Sequence, residues 1–183
     1  VNVLAAMVKR HTTVPYNFIC MTDNTEGVNV RTLKFNNRYP GWWAKLHLFY
    51  TNSIDQILYI DLDTVIVGSI DKLLTYRGSF AIIKDWWAPG YNSSVMSIAP
   101  AFGRHVFRDF KPEYMHQMHG DQDWITQKLP NADLWQDIAP DVIGSYKANE
   151  LEKGPRRYSL VCFHGDPKPH TFTEGWVHEH WKI

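Results

Sequence analysis

The stretch Ile57-Leu58-Tyr59-Ile60-Asp61-Leu62-Asp63-Thr64-Val65-Ile66-Val67 decides how this chain is read. Four apolar or aromatic residues closed by an acid predict a buried strand over 56–61, and 64–67 reads as a second extended run. Asp61 and Asp63 stand two positions apart at a strand end, so they project to one side and can share one hard divalent cation. Without a cation, two like charges that close would raise one of the two pKa values. Aspartate after a strand is also ordinary turn chemistry. The core strand that delivers both acids favours a site, because α/β enzymes collect their chemistry at strand ends.

Working outward, Val1, Leu4, Ala5 and Val8 fall on one stripe, which predicts a helix over 1–11. Strands are expected at 16–22 and 30–35. Gly41 then opens WWAKLHLFY, read as a helix with Trp42, Leu46 and Phe49 on one face. Beyond the central stretch, a helix is expected at 70–76 and strands at 79–85 and 92–98. Helical regions follow at about 103–118 and from Asp121 to the break at Pro130. The last strand is expected at 159–165, before a Trp-rich tail. Strands alternating with helices predict an α/β fold in one domain, 1–183. The chain has no Met start and no strand before its opening helix, as if the first strand of an alternating fold had been cut away.

Charge narrows the classes of function. Lys plus Arg (19) equals Asp plus Glu (19), so no basic field draws the chain to nucleic acid. No apolar run reaches the ~18 residues a membrane span requires, and no signal-peptide pattern is present. A soluble, cytoplasmic protein is expected. Cys20 and Cys162, each in an apolar run, fit two reduced core thiols.

A second constellation is Phe163-His164-Gly165-Asp166-Pro167-Lys168-Pro169-His170. A strand-end His, a Gly allowing close backbone approach and a Lys between prolines make an anion clamp, with His164 as a third metal ligand. Gly120-Asp121-Gln122-Asp123 opens a helix, where one acid serves the helix start and the others can hydrogen-bond sugar hydroxyls. Asn92-Ser93-Ser94 is a similar polar strand entry. His116 with His119, and His178 with His180, lack a third ligand in sequence.

The order Lys45, ILYIDLD, YNSSVM, GDQD and FHGDPKP resembles the retaining glycosyltransferases of family 8 and their bacterial relatives. The resemblance runs over nearly the whole chain and implies the GT-A fold, a three-layer α/β sandwich around a mixed, mostly parallel sheet, here without its first strand. It implies transfer of a sugar from a nucleotide diphosphate donor, a UDP-sugar, to a hydroxyl acceptor. In that family the DxD acids hold Mn²⁺ or Mg²⁺ against the diphosphate, which would be Asp61 and Asp63, with Leu62 between them at the donor. Lys168 and Gly165 match the diphosphate-gripping motif. Lys45 and Asn92 resemble donor contacts, and Asp121 with Gln122 the pair facing the transferred sugar. The family's metal-binding His position holds Cys162 here, so the third ligand is either Cys162 or His164. Hard Mn²⁺ favours the imidazole.

Two other readings compete. ILYIDLDTVIV fits the first motif of aspartyl-phosphate hydrolases, with Asp61 as nucleophile and Asp63 as general acid. Their later Lys and acidic pair would come in the opposite order here. A non-catalytic carbohydrate-binding module would use Trp42, Trp43, Trp86, Trp87 and Trp176 as stacking platforms.

Overall fold

The computed structural model describes residues 1–35 and 39–183. In chain order it contains α1 (Asn2–Arg10), β1 (Ile19–Thr22), β2 (Arg31–Lys34), a 3₁₀ segment (Gly41–Tyr50), β3 (Ile57–Ile60), β4 (Thr64–Ile66) and α2 (Asp71–Leu74). There follow β5 (Phe80–Lys84), β6 (Tyr91–Ile98), α3 (Arg104–Arg108), a 3₁₀ turn (Pro112–His116) and α4 (Asp121–Lys128). The last part holds β7 (Asp133–Leu134), α5 (Trp135–Ile138), β8 (Ile143–Ser145), β9 (Leu160–Cys162), a 3₁₀ turn (Pro169–Thr171) and α6 (Gly175–His180). The fold is mixed α/β, with parallel and antiparallel pairs. It forms two compact units, Val1–Asn36 with Ile60–Thr75 and Ala139–Ile183, and Asn37–Tyr59 with Tyr76–Ile138.

In the first unit β4 pairs antiparallel with β9, and β9 pairs parallel with β8. Leu4, Met7 and Val8 form the buried face of α1. Met7 reaches β4, where its Sδ accepts the Ile66 N–H at 3.4 Å. The chain leaving α1 is tied to α2, since the Thr13 N–H and hydroxyl donate to the Asp71 carboxylate at 2.9 and 2.6 Å. β1 and β2 form a separate parallel pair.

The second unit is organised on a four-stranded sheet in the order β3-β6-β5-β7. Its core joins Phe80, Ile82, Met96 and Ile98 of the sheet to Trp124 and Ile125 of α4, Val106 and Phe107 of α3, and the 3₁₀ segment. The segment at 41–50 corrects the α-helical expectation. Its buried residues are Trp43, Leu46 and Phe49, and Trp42 is 58% exposed. Three residues per turn, rather than 3.6, bring every third side chain to one face. Trp43 stacks on Phe110 with ring centroids 4.9 Å apart.

Candidate functional site

In the first unit the site is built by adjacent strands. The β4–β9 ladder ends at the pair Thr64 and Cys162, so Asp63 and Phe163 leave the sheet at the same end. Burial alternates along the acidic tip: Asp61 and Asp63 are half-buried and Leu62 is exposed. Phe163 is buried and anchors the following loop, its ring stacked on Tyr146 at 4.5 Å and edge-on to Phe172 at 6.0 Å. Gly165 has φ +63°, a left-handed conformation that favours glycine.

The loop then returns Lys168 to the acids. Its Nζ donates to Asp63 Oδ2 at 2.5 Å, with each side chain about one-third exposed (34% and 32%). Lys168 and Asp63 are 105 positions apart in sequence, and the strand pairing is what brings them together. A β-carbon placed on Gly165 would lie 3.6 Å from Lys147 Nζ, so a second ammonium stands beside the loop. Lys147 carries no motif signal in sequence, being brought there by the turn after β8. His164 is half-buried, with Nε2 shielded from solvent. Among the described residues, no three His, Cys, Asp or Glu side chains gather into a set that could hold a metal. The trio Asp61, Asp63 and His164 is therefore not assembled, and Cys162, buried in β9, completes no such set either. The cation on Asp63 is the Lys168 ammonium.

The second unit positions Lys45, Asn92, Asp121 and Gln122. Between the pairs Ile82–Met96 and Ile83–Asn92 the β5–β6 register slips, so β6 bulges at 93–95. A bulge leaves backbone groups without ladder partners. Asn92 Oδ1 accepts the Ser94 N–H at 3.0 Å, and Trp135 Nε1–H donates to the Val95 carbonyl at 3.2 Å. Lys45 Nζ donates to Ser93 Oγ at 3.1 Å and stands 5.6 Å from the Tyr59 ring centroid. Asp121 is buried at the first turn of α4, where the helix dipole favours a carboxylate. Asp123, read as a partner for sugar hydroxyls, turns back instead: its Oδ2 accepts the His119 N–H at 2.9 Å. Tyr91 fixes α4 against β6, its N–H donating to Thr126 Oγ1 and its hydroxyl to the Leu129 carbonyl.

The stacking platforms of the binding-module reading are reduced to a few. Trp43 is buried, and Trp176 donates its indole N–H to the Leu151 carbonyl at 2.8 Å and lies beside Phe163. Trp42 and Trp87 remain well exposed.

No protein-family model matches the chain, and no curated protein matches it in sequence. Solved structures do. The apo form of the glycosyltransferase GlyE of Streptococcus pneumoniae TIGR4 aligns with TM-score 0.69 at 14% identity, over 98% of this chain and 55% of that one. The galactosyltransferase LgtC, in complex with donor and acceptor sugar analogs, aligns with TM-score 0.68 at 16% identity, over 98% of this chain and 88% of that one. The chain has a glycosyltransferase fold. The bifunctional glycosyltransferase WbbM aligns with TM-score 0.61 at 13% identity, over 91% of this chain and 44% of that one. The chain thus spans about half the length of the GlyE and WbbM structures. Among the described residues, no helix is long and apolar enough to cross a membrane.

Proposed function

We propose that this chain carries out glycosyl transfer, moving a sugar from a nucleotide diphosphate donor, a UDP-sugar, to a hydroxyl acceptor with retention at the anomeric carbon. The observation that carries the reading is Lys168 seated on Asp63 at the strand ends, in a chain with a glycosyltransferase fold. Cleaving a sugar–diphosphate bond leaves a polyanion, and fixed positive charge at the leaving oxygens stabilises it as it develops. Lys168 is the first such group and Lys147, beside Gly165, the second.

A divalent cation belongs to this proposal. Asp61 and Asp63 supply hard oxygen donors suited to Mn²⁺ or Mg²⁺. Asp63 already carries a cation in the Lys168 ammonium, a monovalent stand-in. The two aspartates would be the protein's ligands to the metal, since His164 does not gather with them. When bound, the metal supplies Lewis-acid stabilisation of the leaving diphosphate. Gly165 lets the backbone approach the phosphates, and Leu62 is exposed for contact with the donor. In the second unit, Asn92 Oδ1 is committed to the bulge, which leaves Nδ2 as the atom it can offer a sugar hydroxyl. Asp121 and Gln122 are proposed to orient the transferred sugar, and Lys45, tied to Ser93, to contact the donor.

The test is incubation with a panel of UDP-hexoses and MnCl₂, following release of UDP. Manganese-dependent UDP release supports the reading. Release of inorganic phosphate from p-nitrophenyl phosphate, with no turnover of any UDP-hexose, would decide for the aspartyl-phosphate chemistry instead.

A further inference from the structure

We infer that Trp42 is the platform of a saccharide site beside the start of α4, and that the acceptor of the proposed transfer is a sugar stacked on this indole. In a 3₁₀ segment residues three apart eclipse one another, so Trp42 and Lys45 share one ridge while Trp43, Leu46 and Phe49 form the buried one. Lys45 fixes where that ridge looks, since its Nζ donates to Ser93 Oγ at 3.1 Å, next to Asn92. One turn earlier, the pyrrole edge of Trp42 lies against Gly120: a β-carbon there would stand 3.6 Å from Nε1 and 3.8 Å from Cδ1. Gly120 directly precedes Asp121 and Gln122 in the first turn of α4. The indole thus meets the helix start by an edge and, at 58% exposure, keeps ring surface open beside a carboxylate and a carboxamide. A pyranose suits that combination, because its C–H face is apolar and its hydroxyls need a few fixed polar groups around an aromatic surface. Core packing does not call for Trp42, since Trp43, 6% exposed, fills the core from the same turn.

The acceptor half of this inference rests on the function proposed above, and the saccharide half does not. The probe is a panel of lactose, cellobiose and maltose without nucleotide or metal, followed by saturation-transfer difference NMR from the aromatic protons of the protein to the sugar C–H protons. Tyr50 provides the comparison: it is 60% exposed in the same segment, but eight residues on and stacked on Phe107. At least one disaccharide is expected to bind the wild-type chain, roughly tenfold more weakly to Trp42→Ala, with part of the loss restored in Trp42→Phe and none seen in Tyr50→Ala. The inference is overturned if no disaccharide of the panel binds, if Trp42→Ala binds as the wild type does, or if Tyr50→Ala loses as much. Circular dichroism melting of each variant shows that the loss is not one of folding. The same disaccharide is then expected to speed UDP release from a UDP-hexose in MnCl₂ in the wild type, with its KM raised in Trp42→Ala; an unchanged KM contradicts the acceptor half. Absence of turnover with every UDP-hexose sinks the sugar-transfer reading and leaves the nucleotide-free saccharide result standing on its own.

Discussion

Lys168 and Asp63 form an ion pair of 2.5 Å across 105 positions of sequence. Because both side chains are partly solvated, the pair contributes little to folding, about 0–1 kcal/mol. Lys168→Met is therefore expected to leave the thermal unfolding midpoint nearly unchanged and to weaken UDP binding by tenfold or more. Calorimetric melting beside a UDP titration separates the two. A large drop in the melting midpoint would make Lys168 a structural residue.

Gly165 occupies the left-handed region at φ +63°, with room for a β-carbon 3.6 Å from Lys147 Nζ. Space is not the obstacle there. Backbone strain is, at about 1–2 kcal/mol for an L-residue. Gly165→Ala should lower stability by that amount in urea unfolding, and loss of UDP binding beyond it would show that the loop backbone itself approaches phosphate.

Trp42 and Trp43 are neighbours with opposite fates, one 58% exposed and the other 6%. Trp43→Ala removes a ring stacked on Phe110 and should cost about 3–5 kcal/mol. Trp42→Ala should stay within about 0.5 kcal/mol. Equal losses in denaturant unfolding would contradict the three-residue period of this segment.

That contrast shows where sequence reading reached its limit. The strands of the central stretch, the opening helix, and the acids at 61 and 63 were legible because periodicity and strand-end acids have local causes. The 3₁₀ geometry at 41–50 was not, since apolar residues at 42, 43, 46 and 49 satisfy both periods and only packing selects one. β7, α5 and β8 went unread, being two to four residues long and held by pairing of β7 with β5 and of β8 with β9, and by the Gln136 amide of α5 on the Lys84 backbone, rather than by their own pattern. Of the site, Lys168 was legible from its two prolines. Its partner was not, because a contact formed by strand pairing leaves no local trace. Lys147 was missed for the same reason. Asp123 was read toward a ligand although a carboxylate at that place in a helix start serves the preceding backbone equally well.

His11 and His180 face each other with ring centroids 6.3 Å apart, beside Arg10, which donates to the His180 and Lys182 carbonyls. Burial, then the Arg10 charge, lowers the His11 pKa below 6.5, with His180 adding to the effect. Burial chiefly lowers that of His180, Glu179 opposing and Arg10 and Lys182 assisting. Folded imidazoles with lowered pKa values bind fewer protons than unfolded ones, so their contribution is whole above pH 6.5 and declines as pH falls below it. The melting midpoint should drop between pH 7 and 5, and His180→Gln should flatten that drop. A midpoint that rises on acidification in the same window would contradict the burial of the pair.

On the proposed function, the end of the β4–β9 ladder, carrying Asp61, Asp63 and Lys168, would take the diphosphate of a nucleotide together with a divalent cation. Isothermal titration of the wild-type chain with UDP, in MnCl₂ and again in EDTA, tests this most directly. The expected result is saturable binding in MnCl₂ that is lost in EDTA and lost in Asp61→Asn with Asp63→Asn. Equal binding in EDTA, or no binding in either buffer, would contradict the account.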